Sequence, residues 1–393
     1  MEYRQRIAEL EAGLARELEG ISHYLYIHPE LGLEEYLSAD FLTAYLREKG
    51  FELERPWHGM DTAFAARWGT EGPCVAFLAE YDALPGHGPK GCDNGHSCGH
   101  NWIAATTVGA AVIVKELCAE LGLPVRILLA GCPAEETFGS KSLLVREGAF
   151  DGVDCALQAH LSEETNLYHR SLALTAMELR YFGKSAHAAA APWEGINALD
   201  AIQLYYAGVA ALRQQLRPDV RLHGVIREGG KAANSIPERA SCLYYARAET
   251  RAELDKVVQR LLDVAKGAEL MTGARLEVSW PEQPMDELRH FPILERLLGE
   301  ALAREGYTSI SKEASDKRTV GSTDVGNVSQ VCPTAFVEIG VEGFNCHTEE
   351  ALALADGGCY DSLHRTVRLL ADTAMRVVTG PDVRKKLWEE FHQ

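Results

Sequence analysis

The chain has 393 residues, of which 46% are hydrophobic and 24% are charged, so a large packed core is expected and a mainly disordered chain is excluded. The formal net charge of -18 makes duplex nucleic acid a poor partner, because such binding depends on lysine and arginine contacts to phosphates. No unbroken apolar run of about 18 residues and no secretory signal is seen, so we expect a cytoplasmic protein that does not bind a membrane, with mostly reduced core cysteines.

The first part of the chain alternates helical segments with nearly continuous apolar strands. Two helices are predicted before Gly50, joined by the segment IHPELGLEEY. Strands are predicted at 74–82, 125–132 and 153–160, and helices at 101–121 and 141–148. Apolar strands that alternate with helices in this way indicate a parallel sheet covered on both faces.

A different pattern occupies the middle of the chain. Strands are predicted at 172–183, 221–229, 240–250 and 274–280, and helices at 198–213 and 253–270. The order β-α-β-β-α-β is that of a split, ferredoxin-like unit. We therefore predict an inserted α+β domain at 172–281.

The α/β pattern then resumes, with a helix at 292–306, a strand at 334–340 and a helix at 359–379. The predicted fold class is α/β, with a mixed, mostly parallel sheet in a larger domain made of 1–171 and 282–393. In open sheets of this kind, ligands bind beyond the carboxyl ends of the strands.

Polar side chains of the kinds that bind metals follow four of the predicted strands. They are Glu80, Asp82, Cys98, His100, Glu135, Glu136, His160 and His347. Thiolate, imidazole and carboxylate groups together suit zinc or another divalent transition metal. Because adjacent side chains on an extended or turning backbone point in different directions, one of Glu135 and Glu136 can bind metal while the other acts as a general base.

Each of these features has a simpler explanation when it is taken alone. A Cys-x-His pair is more often a buried cysteine beside a loop histidine, and two adjacent glutamates are often a solvated helix start. A single loop histidine is as often structural as functional. Their collection at four strand ends favours a metal site.

Two short motifs do not fit the structures that their chemistry requires. Residues 86–91 match G-x-G-x-x-G, but a proline and further loop follow, whereas a dinucleotide site needs this motif to open a helix. Residues 95–99 match G-x-S-x-G around Ser97, but no strand precedes them, as a nucleophile elbow requires. A serine hydrolase that uses Ser97 is kept as one alternative, and a non-catalytic binding protein on the same fold as another.

Ordered motifs along nearly the whole chain resemble those of one enzyme family. They are HPELGLEE from His28, AEYDALP around Glu80, CGHN from Cys98, PAEE from Ala134, GKSAHAA from Gly183, GGKAANSIPE from Gly229, STDVGNVS from Ser322 and HTEE from His347. This set resembles the aminoacylase/carboxypeptidase-G metallopeptidases, in their amidohydrolase branch. CGHN, STDVGNVS and HTEE look closer to the aminobenzoyl-glutamate hydrolase and peptidase M20 domain-containing protein 2 group of dipeptidases.

The resemblance implies a catalytic α/β domain interrupted by a ferredoxin-like lid that usually also forms a homodimer. It implies two divalent metal ions, zinc or manganese, with Cys98 able to bridge them. The implied metal ligands are Cys98, His100, Glu136, His160 and His347. Glu135 would be the general base and Asp82 would orient a ligand histidine.

The inserted domain would also contribute side chains. By the same resemblance, His187 would stabilise the oxyanion in the partner subunit's site, and Asn234 and Arg247 would hold the polar end of the substrate. Asn101 departs from the aspartate that is usual in this branch, so no role is carried over to it.

The implied reaction is cleavage of an amide or dipeptide bond in a small molecule. N-acyl amino acids, aminobenzoyl-glutamate-like amides, and dipeptides with a basic or β-amino residue are the candidate substrates. Lys317 and Arg318 precede STDVGNVS and either meet an acidic substrate or form a solvated basic turn.

Overall fold

The computed structural model describes residues 2–88, 93–308, 310–311 and 321–393. The chain divides into two compact units. Unit 1 is Met1–Arg170, Leu288–Val320 and Asp324–Gln393, and unit 2 is Ser171–Glu287 and Gly321–Thr323. Lys317 and Arg318 lie outside the described residues, so their contact with substrate stays an open prediction.

Helices and strands are numbered here in chain order. The strands are β1 (Glu52–Glu54), β2 (Phe64–Trp68), β3 (Cys74–Ala79), β4 (Arg126–Gly131), β5 (Cys155–Ser162), β6 (Thr165–Asn166), β7 (Ala173–Phe182), β8 (Arg221–Glu228), β9 (Arg239–Ala248), β10 (Arg275–Ser279), β11 (Ile310–Ser311) and β12 (Thr334–Gly340). The helices are α1 (Glu2–Ile27), α2 (Tyr36–Glu48), α3 (His100–Leu121), α4 (Ser140–Arg146), α5 (Ala198–Leu212), α6 (Arg251–Thr272), α7 (Pro292–Arg304), α8 (Val325–Ser329), α9 (Glu349–Ala355), α10 (Tyr360–Thr379) and α11 (Pro381–Phe391).

Unit 1 has the predicted α/β character, with a mixed sheet of eight strands in the order β1-β2-β4-β3-β5-β12-β6-β11. The central strands β4, β3, β5 and β12 run parallel to one another, whereas β2 is antiparallel to β4 and β1 is antiparallel to β2. The chain passes from β3 to β4 on one side and then back to β5 on the other side of β3. This reversal is the place in an open sheet where a ligand site is expected, beyond the carboxyl ends of the strands.

Alternate residues of β3 belong to two different cores, because successive side chains of a strand point to opposite faces. Val75, Phe77 and Ala79 join the core that contains residues of α1, α3 and α10. Ala76 and Leu78 join the core on the other face. All six residues of β3 are buried, as expected for a strand covered on both faces.

Helix α3 is, among the described residues, the one helix that is long and apolar enough to cross a membrane. Its mean hydropathy reaches 1.5, although a few polar residues interrupt its Ala, Val and Ile positions. The sequence analysis considered only unbroken apolar runs and therefore missed this property. Within unit 1 the most apolar part of α3 is 83% buried, and its side chains belong to the main core.

Unit 2 has a four-stranded antiparallel sheet in the order β10-β7-β9-β8. Along the chain its main elements are β7, α5, β8, β9, α6 and β10, the predicted succession. Buried residues of α5 and α6, including Tyr205 and Leu261, share one core with Tyr181 and Tyr244 from the sheet. The Thr250 side chain accepts a hydrogen bond from the Glu253 amide and so caps the start of α6.

Candidate metal centre

The carboxyl ends of β3, β4, β5 and β12 carry the predicted site residues of unit 1. Asp82 follows β3, and His100 begins α3 directly after Cys98 and a glycine. The two glutamates follow β4, His160 lies near the end of β5, and His347 lies in the loop after β12. Because these four strands are neighbours in the sheet, residues far apart in sequence meet at one edge.

Two groups of three candidate ligands share the thiol of Cys98. One group joins Cys98 with His100 and His160, and the other joins it with Glu136 and His347. Within each group, one ligand atom from each residue lies within 4.8 Å of the others. A sulfur that is common to two groups is suited to bridge two cations. The donor chemistry of thiol, imidazole and carboxylate therefore fits a pair of divalent ions, although the assignment of these ligands stays a prediction.

Hydrogen bonds on their second ring nitrogens orient two of the histidines. His100 Nδ1 lies 2.8 Å from Asp82 Oδ1, and both side chains are buried. Burial opposes a charge on His100, but the Asp82 carboxylate raises its pKa well above the usual value. His160 Nδ1 lies 2.7 Å from the Leu161 carbonyl oxygen and its Nε2 lies 3.6 Å from Cys98 Sγ. His100 Nε2 lies 3.8 Å from Glu136 Oε1, so in both residues Nε2 faces another candidate ligand.

His347 reaches the centre from a strained backbone position. Its φ angle is 67°, in the left-handed region, and its amide donates a 3.0 Å hydrogen bond to the Ser97 carbonyl oxygen. Its Nε2 lies 3.2 Å from Glu136 Oε1, and this contact raises the pKa of His347. The hydrogen bond to Ser97 thus holds the His347 loop next to the Cys98 loop.

Glu135 occupies a different environment from Glu136. A carboxyl oxygen of Glu135 lies within 4.8 Å of ligand atoms of His100 and Glu136, and Glu135 also forms a group with Glu80 and Asp324. Burial, followed by repulsion from the neighbouring carboxylates, raises the pKa of Glu135 well above its usual value. A carboxyl group with a raised pKa beside a candidate metal site is suited to take up and release a proton.

The two carboxylates behind Glu135 share one internal cation. Lys141 Nζ lies 2.6 Å from both Glu80 Oε1 and Asp324 Oδ1, and all three side chains are buried. Burial opposes the charge of Lys141, but these two carboxylates raise its pKa well above the usual value. The sequence analysis placed Lys141 in a short helix and gave it no role, because its burial depends on contacts with distant residues.

Cys346 is another residue that the sequence analysis did not single out. It directly precedes His347, and a hydrogen bond with Cys98 lowers the pKa of Cys346 to about 6. The same hydrogen bond, together with burial, raises the pKa of the Cys98 thiol. The neighbouring His347 was the only sequence signal that could have indicated Cys346.

The remaining predicted residues lie in unit 2, and each is described by its contacts within that unit. His187 is exposed, and its Nδ1 accepts hydrogen bonds from the Ala189 and Ala190 amides at 3.2 and 3.1 Å. Asn234 is exposed, whereas Arg247 is half-buried and donates from Nη1 to Ser322 Oγ at 2.9 Å. Their predicted roles toward a substrate stay predictions.

Asn101, which stands where the resembled branch usually has aspartate, is held by hydrogen bonds within unit 1. Its Nδ2 lies 2.9 Å from Ser22 Oγ and 2.9 Å from the Ala355 carbonyl oxygen, and the residue is fully buried. An aspartate would offer no donor at this position. Asn101 therefore links α3 to α1 and to the end of α9.

Ser97 lies in an environment that does not favour a nucleophile. It is buried, and among the described residues its hydroxyl has no hydrogen-bond partner. The residues directly before it form no strand longer than an isolated bridge at Gly95, so the strand-turn-helix of a nucleophile elbow is absent from the described part of this region. The G-x-G-x-x-G match at 86–91 falls partly on positions outside the described residues.

Comparisons with known proteins give one consistent result. Residues 76–376 match the model of the family described as peptidase family M20/M25/M40. The Xaa-Arg dipeptidase of Mus musculus is 35% identical over 99% of this chain and 92% of its own length. One chain of the p-aminobenzoyl-glutamate hydrolase of Escherichia coli (strain K12) is 35% identical over 65% of this chain and 56% of its own length. A solved aminobenzoyl-glutamate utilization protein from Klebsiella pneumoniae shares the fold, with a TM-score of 0.74 and 20% identity over 94% of this chain and 97% of that one.

Proposed function

Since this chain belongs to peptidase family M20/M25/M40, we propose that it is a dinuclear metal-dependent hydrolase that cleaves the amide bond of a dipeptide or similar small substrate. The observation that carries the proposal is the Cys98 thiol shared by two groups of candidate ligands. Glu135 lies beside both His100 and Glu136, which supports its assignment as general base.

The chemistry divides between the ions and the protein. When bound, a pair of zinc or manganese ions supplies Lewis acidity to an attacking water and to the scissile carbonyl group. Cys98, His100, Glu136, His160 and His347 would hold the ions, and Asp82 would keep the His100 ring in place through its Nδ1.

Glu135 would transfer the proton that amide hydrolysis requires. Its carboxylate takes a proton from the attacking water as the new carbon–oxygen bond forms. It then gives that proton to the leaving nitrogen as the carbon–nitrogen bond breaks, so that an amine and a carboxylic acid result.

Dipeptides with a basic C-terminal residue are the proposed substrates. The support is the Xaa-Arg dipeptidase that is similar over 99% of this chain. The similarity to an aminobenzoyl-glutamate hydrolase, which spans 65% of this chain, makes aminobenzoyl-glutamate the second substrate to test.

Unit 2 is proposed to be a ferredoxin-like lid and dimerisation domain. Its antiparallel four-stranded sheet and two helices support the first part. An exposed edge strand, β8, supports the second, since only Leu222 of its eight residues is buried. His187 is proposed to stabilise the oxyanion and Asn234 and Arg247 to hold the polar end of the substrate. A cytoplasmic location, without nucleic acid or membrane partners, is part of the same proposal.

The test combines metal analysis with a panel of substrates. We expect about two divalent ions per chain and metal-dependent hydrolysis of Xaa-Arg or Xaa-Lys dipeptides, with aminobenzoyl-glutamate and N-acyl amino acids tested beside them. Glu135→Ala should keep its metal and lose about 10² to 10⁴ in kcat, the usual contribution of a general base. His347→Ala should lose metal content.

Other results would favour the alternatives. Inactivation by a serine-directed phosphonate without sensitivity to chelators would favour a serine hydrolase that uses Ser97. A metal-free protein that hydrolyses no member of the panel would favour a binding protein on this fold. Near wild-type turnover in Glu135→Ala would remove Glu135 from the mechanism.

A further inference from the structure

The segment between α1 and α2, residues 28–35, carries the HPELGLEE sequence, which the proposed chemistry does not use. Its first contact is with the loop after β3. The Ala83 amide donates a 2.8 Å hydrogen bond to the Glu30 carbonyl oxygen, and Leu31 and Ala83 form a parallel bridge. Ala83 directly follows Asp82, so the segment is attached to the loop that orients His100.

The second contact is with the turn after β4. Glu35 is fully buried, and its Oε1 accepts a 2.8 Å hydrogen bond from the Ala134 amide. Ala134 has a φ angle of 56°, a left-handed conformation that costs a non-glycine residue roughly 1 kcal/mol or more. Ala134 directly precedes Glu135 and Glu136, so its backbone angles determine the direction in which both side chains leave the turn.

Gly32 allows the segment to approach this turn closely. A Cβ atom at position 32 would lie 2.3 Å from Thr137 Oγ1 and 2.8 Å from Ala134 Cβ. Neither separation is tolerated without movement, and Ala134 Cβ is fixed to the backbone. The segment and the turn are therefore in direct contact, and glycine is required at this point.

The two loops are also joined to each other. The Glu136 amide donates a 3.0 Å hydrogen bond to Asp82 Oδ2, while Asp82 Oδ1 lies against His100. The segment, the Asp82 loop and the Glu135–Glu136 turn thus form a closed set of contacts. Displacement of any one of these three segments is expected to displace the other two.

We propose that Glu35 is a positioning residue, which holds Ala134 in its left-handed conformation and so directs Glu135 and Glu136 toward the metal centre. The proposal rests on the proposed function in one respect, because that function gives Glu135 and Glu136 their chemical roles. Glu35 belongs to none of the candidate ligand groups and acts through the backbone of Ala134. Its expected effect is on kcat, because misplacement of catalytic groups by about 1 Å can cost about a hundredfold in rate.

Glutamine is the informative conservative replacement. Burial, with a contribution from the nearby Asp82, raises the pKa of Glu35 to about 8, so the side chain is neutral near pH 7. Glutamine keeps the shape, the neutrality and the carbonyl oxygen that accepts from Ala134. Alanine removes the acceptor and leaves the Ala134 amide buried without a partner.

The primary experiment measures hydrogen exchange at the Ala134 amide in the metal-free protein, which requires no substrate. Glu35→Ala should exchange about tenfold faster or more, as expected for the loss of one buried hydrogen bond, while Glu35→Gln stays near wild type. Glu34→Ala is the matched control, since Glu34 is the exposed neighbour in the same segment. Unchanged exchange at Ala134 in a folded Glu35→Ala protein would overturn the proposal.

Kinetics with the metal-loaded enzyme then test the consequence for catalysis. Glu35→Ala should lose about 10- to 100-fold in kcat with KM within a few-fold of wild type and with its metal content retained. Glu35→Gln should recover most of the loss. If wild type hydrolyses no substrate, the proposed function fails, but the exchange result still decides the role of Glu35.

A second variant covers the case in which Glu35→Ala does not fold. Gly32→Ala keeps Glu35 and pushes the segment away from the turn through the contact with Ala134 Cβ. Faster exchange at Ala134 is expected here as well. Wild-type exchange in Gly32→Ala would show that the segment does not hold the turn.

Discussion

The Lys141 ammonium group is the internal counter-charge of the candidate centre. It pairs with Glu80 and Asp324 at 2.6 Å each, and Glu80 also accepts a 2.9 Å hydrogen bond from Gln158 Nε2. Glu80, Glu135 and Asp324 form a group of three carboxylates that would otherwise resemble a cation site. Lys141 therefore offsets one of the two negative charges beside Glu135, and the remaining repulsion from these carboxylates still helps to raise the pKa of Glu135.

Removing this cation should destabilise the fold strongly. Lys141→Met leaves the buried carboxylates of Glu80 and Asp324 without their cationic partner, and breaking a buried ion pair in this way costs about 3–5 kcal/mol. The double variant Lys141→Met/Asp324→Asn should regain part of the lost stability, because one of the two unpaired charges is then removed. Urea denaturation measures both changes.

Lys385→Met is the control for this prediction. Lys385 pairs with Glu389, and their side chains are 76% and 57% exposed, so this surface pair contributes about 0–1 kcal/mol. Equal losses of stability in Lys141→Met and Lys385→Met would show that the buried pair contributes no more than a surface pair.

Glu35 should give unit 1 a distinct dependence of stability on pH. The pKa of Glu35 is raised from 4.5 to about 8 in the folded protein, with Asp82 and Tyr81 as the titratable groups that face it. The folded state therefore binds a proton that the unfolded chain has released between these two pH values. The stabilising contribution is complete below pH 4.5 and is lost as the pH rises through about 8, at about 1.4 kcal/mol per pH unit.

Glu35→Gln should remove this slope. In metal-free protein, the variant gains stability relative to wild type as the pH is raised from 5 to 8, and Glu34→Gln does not. Denaturation curves at several pH values measure the difference. Parallel curves for wild type and Glu35→Gln would contradict the raised pKa.

Strand β8 is an edge strand of unit 2 that carries exposed apolar side chains. It forms one edge of the sheet and pairs only with β9, and Val225 and Ile226 are 59% and 49% exposed. An exposed apolar edge strand offers unpaired backbone groups to another chain, and natural proteins usually cover such edges. A second copy of unit 2 is the partner that the proposed homodimer would supply.

Charged substitutions on this strand should therefore dissociate the dimer. Val225→Lys and Ile226→Lys are expected to shift the protein toward the monomer in analytical ultracentrifugation, because lysine on an edge strand opposes pairing between edges. Leu121→Lys is the control, since Leu121 is 52% exposed at the end of α3 in unit 1. A dimer that persists in both β8 variants would place the interface elsewhere.

Elements with strong local patterns could be predicted from the sequence. Strand β3 has six consecutive buried residues, and helix α3 is rich in Ala and Val. Their predicted ends, 74–82 and 101–121, lie within three residues of the observed ends. Strand β1 was missed because it has three residues, Glu-Leu-Glu, and no buried position. Helix α11 was missed, although Val383, Leu387 and Phe391 recur at helical spacing and pack against the main core.

The candidate site was predictable where chemistry and strand ends coincide. Cys98, His100 and Glu136 stood out because metal-binding side chains follow apolar strands. Lys141 and Glu35 did not, because their importance comes from burial against residues 61 to 183 positions away. Sequence spacing alone does not reveal such contacts.

At the scale of the whole molecule, the five predicted metal ligands all belong to unit 1 and span positions 98 to 347. A pair of ions held by them would cross-link loops that follow four strands, and unit 2 contributes none of the five. Ligand binding to the folded state stabilises it by about 2.7 kcal/mol at a free concentration of a hundred times Kd. Metal binding should therefore stabilise unit 1 directly.

Removal of metal should accordingly lower the stability of unit 1 and leave the stability of unit 2 nearly unchanged. We expect chelation by EDTA to increase hydrogen exchange in β3, β4, β5 and β12 by more than tenfold, whereas β7 and β9 in the core of unit 2 keep their protection. The expected asymmetry follows from the location of the ligands, because only the unit that holds the ions loses their binding energy. Cys98→Ala without EDTA should reproduce the pattern, since its thiol belongs to both ligand groups. Equal loss of protection in both units would mean that the ions are bound elsewhere or that the two units unfold together.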